Sequence, residues 1–77
     1  MITREVTDER IKTTIRDMIK NGESPNVMRI CKGVHGLSLR TVYLRVKHMI
    51  EDGDIVYDLK IVNGRVVKVL RVPEVVP

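Results

Sequence analysis

A chain of 77 residues has room for one small core, and a net charge of +4 with a pI near 9.6 favours an acidic partner such as nucleic acid or an anionic membrane surface. Its apolar material is mainly Val and Ile, with no Phe, Trp or Ala, and the absence of Gln fits a heat-adapted source. No run is long enough to span a bilayer, the amino terminus lacks the apolar core of a signal peptide, and the single Cys31 cannot form an internal disulfide. A cytoplasmic protein that does not enter the membrane is therefore expected.

Residues 1–6 alternate poorly and read as an arm or short strand. Thr7 or Asp8 can cap a first helix over 8–20, because either side-chain oxygen can accept an orphan amide proton of the first turn. Ile11, Ile15, Met18 and Ile19 recur on one face of that helix, and Asn21-Gly22 supplies a left-handed stop. Ser24-Pro25 restarts a short helix over 25–32, with serine as cap and proline at the first helical position. Val27 and Ile30 then face inward. A turn with two glycines, Gly33-Val34-His35-Gly36, leads to Leu37 as a buried anchor. Ser38 caps a third helix over 38–51, whose Val42, Val46, Met49 and Ile50 cluster on one side. Arg40, Leu44, Lys47, His48 and Glu51 fall on the opposite side. Asp52-Gly53-Asp54 breaks the helix.

Residues 55–72 read as a β-hairpin closed by Asn63-Gly64, a pair suited to a two-residue turn. Ile55, Tyr57, Leu59 and Ile61 then share one face with Val66, Leu70 and Val72, which pairing should bury. Asp58 and Lys60 lie on the other face with Arg65 and Arg71. Lys68 is the lone charge on the apolar face, so a slipped register or a bulge is an alternative there. Residues 73–77, bounded by Pro73 and Pro77, form a tail.

Charge is segregated along the chain. No acidic residue lies between Glu23 and Glu51, where Arg29, Lys32, Arg40, Arg45 and Lys47 are basic, or between Asp58 and Glu74, where Lys60, Arg65, Lys68 and Arg71 are. A phosphate backbone favours that arrangement, because nearby carboxylates oppose the counterion release that drives binding. Chemistry-bearing groupings are sparse. Cys31, His35 and His48 are too few and too far apart for structural zinc. No nucleophile–base–acid set, phosphate loop or paired carboxylate site is legible, so neither catalysis nor a cofactor is expected.

The order helix, helix, turn, helix, hairpin predicts an α+β fold. The stretch Gly36-Leu37-Ser38-Leu39-Arg40-Thr41-Val42-Tyr43-Leu44-Arg45-Val46-Lys47 resembles the recognition-helix signature of winged-helix transcription regulators. Met49-Ile50-Glu51-Asp52-Gly53-Asp54-Ile55-Val56 is similar to the family's exit into the wing. With Ile30-Cys31 the resemblance covers about two thirds of the chain. Cys31 stands where the family usually has Ala, and the run from Cys31 to Gly36 is about one residue longer than the family's turn. The resemblance implies a winged helix-turn-helix that binds double-stranded DNA and regulates transcription by occlusion. Arg40, Leu44 and Lys47 would face bases or flanking phosphates, Ser38, Thr41, Tyr43 and Arg45 would hold the backbone, and Lys60 and Arg65 would bring the wing to an adjacent groove. A homodimer would suit paired half-sites, although no dedicated dimerisation helix is legible. The competing reading is a winged helix that serves as a protein-interaction module in a transcription or replication assembly, which expects an exposed apolar patch.

Overall fold

The computed structural model describes residues 4–34 and 36–73. Helices α1 (Arg4–Lys20), α2 (Val27–Gly33) and α3 (Leu39–Asp52) precede strands β1 (Val56–Val62) and β2 (Arg65–Arg71). The strands form one antiparallel hairpin. This is an α+β layout consistent with a winged helix. None of its helices is long and apolar enough to cross a membrane.

Helix α1 begins earlier than expected. Residues 4–6, assigned to an arm or strand, are helical, and Thr7 and Asp8 lie inside the helix instead of capping it. Thr7 is buried, in register with Ile11, Ile15 and Met18 on the inner face. Ile19, expected among them, is 46% exposed and lies at the surface beside Arg71 and Val72, while Met18 of the same turn takes the inner position. The start of α2 also moves. Asn26 is the cap: its backbone is extended and its Oδ1 accepts the Arg29 N–H at 2.9 Å. Pro25, expected inside the helix, is buried ahead of it, and its carbonyl accepts the Leu70 N–H at 3.1 Å. That bond ties the interhelical loop to β2. Gly33 closes α2 against α1, where a Cβ would meet Thr14 Cγ2 at 3.0 Å.

The third helix follows the expected pattern, with Ser38 as its cap and Gly53 as its left-handed stop. Val42, Val46 and Met49 are buried against Ile11, Ile15 and Ile30, with Ile55 and Leu70 completing the core from the hairpin side. Half-buried Leu37 packs at its edge.

The hairpin register has neither slip nor bulge. Val62 pairs with Arg65 across Asn63-Gly64, and the ladder runs unbroken to Val56 opposite Arg71. Asn63 (φ 52°) and Gly64 (φ 78°) are both left-handed, as a type I′ turn demands. Lys68 stays on the apolar face because its ammonium sits 4.9 Å from the centre of the Tyr57 ring. The expectation that pairing buries this face fails beyond its base. Ile55 is buried, but Tyr57, Leu59 and Ile61 are exposed, because the ribbon runs beyond the helices and nothing among the described residues covers its outer half. We expect Gly64→Val to destabilise the hairpin by about 1–2 kcal/mol, since a β-branched residue resists positive φ. A lower melting temperature and weakened cross-strand contacts by NMR would show this; an unchanged hairpin would mean the turn tolerates another geometry. Residues 1–3 and 74–77, assigned to the arm and the tail, lie outside the described residues.

Candidate nucleic-acid interface

Helix α3 sorts its side chains by spacing. Burying Val42, Val46 and Met49 turns Arg40, Leu44 and Lys47 outward, at successive one-turn intervals along a single stripe. All three are exposed. At the helix start, Ser38 Oγ accepts the Thr41 N–H at 3.1 Å and donates to Thr41 Oγ1 at 2.9 Å. The Ser38 hydroxyl is thereby engaged, and among the described residues no hydrogen bond takes the Thr41 hydroxyl proton. Tyr43 is 57% exposed.

Tyr43 and Lys47 form one wall of a groove between α3 and the hairpin, facing Tyr57 and Lys68 on the other. Val46, Ile50 and Leu70 also line it. The cation–π contact holds Lys68 on the hairpin side, so two ammonium groups flank the groove together with the carboxylate of Glu51. Sequence reasoning noticed Lys68 only as an anomaly. The available signal was diagonal: Lys68 pairs with Leu59, two residues from Tyr57 on the same face, which is within reach for a long side chain. A diagonal also explains Arg71, whose Nε donates to Asp58 at 2.9 Å although Asp58 pairs with Val69.

Arg45 departs from the role expected of it. Its Nε and one terminal nitrogen donate to both carboxylate oxygens of Asp8 at 2.8 and 2.7 Å, and both side chains are about four-fifths buried. The fork fixes α3 to α1 and leaves little of the guanidinium for a phosphate. Hydrogen bonding to Asp8 pushes the Arg45 pKa up against an opposing desolvation effect, so the guanidinium stays charged at any pH a binding assay would use.

Among the described residues, Arg40, Lys47, Lys60 and Arg65 take part in none of the ion pairs. Lys60 and Arg65 share the hairpin face opposite Tyr57, with Arg65 beside the turn. The arrangement offers cations, hydroxyls and two exposed leucines, Leu39 and Leu44, on α3, with a second cationic group at the hairpin end. Among the described residues no three His, Cys, Asp or Glu side chains gather as a metal site, and His35 lies outside them. Cys31 is half-buried, its Sγ 3.7 Å from the Leu37 carbonyl oxygen. Compared with protein-family models, curated proteins and solved structures, the chain finds no match.

Proposed function

We propose that this chain binds double-stranded DNA in a sequence-specific manner, as a non-catalytic transcriptional regulator of the winged-helix class acting by occlusion in a reducing, cytoplasmic setting. The observation that supports it most is the outer stripe of α3. Arg40, Leu44 and Lys47 stand together on a helix braced from behind, with no ion pair engaging either cation among the described residues. A helix presented this way fits a major groove, where a guanidinium can bond guanine in a bidentate manner and a leucine can meet a thymine methyl. Thr41 and Tyr43 offer hydroxyl protons to phosphates, and Ser38 fixes the helix start from which they project. Lys60 and Arg65 carry positive charge to a neighbouring groove. Arg45 acts through Asp8, setting the pose of α3.

Binding to any duplex is expected to fall steeply with salt, because these cations displace counterions. Arg40→Ala is expected to cost about 1–3 kcal/mol and to relax preference at one base position, with helicity retained. Lys47→Ala and Arg65→Ala should lower affinity with little change in melting temperature. Fluorescence anisotropy across a salt series, beside circular dichroism of each variant, measures all of this. A flat salt dependence would instead favour a protein-interaction module, the reading to which exposed Leu59, Ile61 and Val66 lend support.

A further inference from the structure

Beyond Ile55, the buried residues of the hairpin lie on one strand. Val69 and Leu70 of β2 are buried and the Leu70 N–H reaches Pro25, whereas β1 is exposed from Tyr57 to Val62. Because Val62 and Arg65 flank a two-residue turn, they exchange hydrogen bonds, and so do the alternate pairs Lys60–Val67 and Asp58–Val69. The N–H and C=O groups of Tyr57, Leu59 and Ile61 therefore point away from β2, as the Leu70 N–H does on the opposite edge. Among the described residues no backbone bond meets them. The same positions carry exposed apolar side chains, with Leu59 63% and Ile61 78% exposed. An open polar edge and an apolar face thus coincide, a combination that proteins ordinarily cover or interrupt with charge.

We propose that β1 of a second copy of this chain covers this edge, paired antiparallel about a two-fold axis through Leu59. The register follows from charge. With Leu59 opposite its own copy, Tyr57 meets Ile61 on the apolar face and Asp58 meets Lys60 on the other face, each pair occurring twice. The outward backbone groups of Tyr57, Leu59 and Ile61 all gain partners. Asp58 and Lys60 fall at the non-hydrogen-bonded positions, where opposed side chains lie closest. Sliding the second copy by two residues in one direction sets Asp58 against Asp58, and in the other Lys60 against Lys60. Either slide replaces attraction by repulsion, so the strand complements itself in one register. Lys60 has no ion-pair partner among the described residues, and Asp58 shares only an exposed contact with Arg71. A seven-residue strand edge buries less than a standard interface, so the dimer dissociates on dilution. The pairing does not rest on the DNA reading, but the two share one residue: in the dimer Lys60 faces the second copy's Asp58, which withdraws it from the groove contact proposed above.

The test is mass in solution without nucleic acid, by light scattering or sedimentation over a concentration series reaching the millimolar range. The expected result is a shift from one copy to two. Asp58→Lys and Lys60→Asp should each abolish the shift, and the two changes combined should restore it, with circular dichroism confirming that every variant folds. In a Cys31→Ser background, Leu59→Cys should oxidise to a covalent dimer, since Cα atoms of a hydrogen-bonded antiparallel pair lie about 5.5 Å apart, within disulfide reach. Ile61→Cys, opposite Tyr57, should not. A monomer at every concentration would overturn the proposal. So would a dimer indifferent to the single charge reversals, or cross-linking at Ile61 in preference to Leu59, which would point to face-to-face packing. Assembly only with a different protein would overturn it too.

Discussion

Ile55→Ala is expected to destabilise the protein by about 2–5 kcal/mol, the usual cost of emptying a fully buried isoleucine site. Ile55 is 0% exposed and packs where α3 hands the chain to β1, and its N–H donates to the Met49 carbonyl at 3.2 Å. The chain has no Phe or Trp, and its two tyrosines, Tyr43 and Tyr57, are exposed and do not fill the site. A domain this small holds a total stability not far above that loss, so the variant should be substantially unfolded at ordinary temperature. Ile61→Ala, on the same strand face but exposed, should stay within about 0.5 kcal/mol of the parent when measured at high dilution. Denaturant titration of both variants makes the comparison, and equal losses would mean that the outer hairpin is buried in solution.

Asp8→Ala is the second large effect. Removing the carboxylate strands a mostly buried guanidinium, at an expected cost of about 2–3 kcal/mol. Replacing both partners, Asp8→Ala with Arg45→Met, should recover much of that stability, since an apolar pair carries no uncompensated charge. The cycle also separates structure from contact. If Arg45 only braces α3, the double variant keeps most of its DNA affinity at a temperature where it is folded. A large loss of affinity with stability restored would return Arg45 to the phosphate backbone.

What could be read from the chain divides by distance along it. Ser38 as a cap, Gly53 as a stop and Asn63-Gly64 as a turn are decided by a few neighbouring residues, and each stands as expected. The buried stripe Val42, Val46 and Met49 follows from helical period alone. Asp8 looked like a cap because its side chain suits one; its actual partner is 37 residues away, which no local pattern reports. Ser24-Pro25 was misleading in the same way. Pro25 is held by Leu70 across the fold, and that contact displaces the helix start to Asn26. The alternation in β1 correctly sorted its two faces, but alternation cannot say how far the covering layer extends. The three helices cover only the hairpin's base. The exposed stripe of α3 was therefore legible, whereas the bracing of Arg45 and the seating of Lys68 over Tyr57 were not.

Anchored only at its base, the hairpin is a lever arm pivoting near Ile55 and Leu70. Seven residues of strand reach roughly 23 Å, so a tilt of about 10° at the pivot would carry the tip through about 4 Å. Small changes in packing at Ile55, Pro25 or Leu70 would be magnified at Arg65, far from where they arise. Substitutions at the pivot should consequently alter the spacing between α3 and the tip, and with it the width of groove that the proposed DNA reading has the two straddle, without touching Arg40, Lys47 or Arg65.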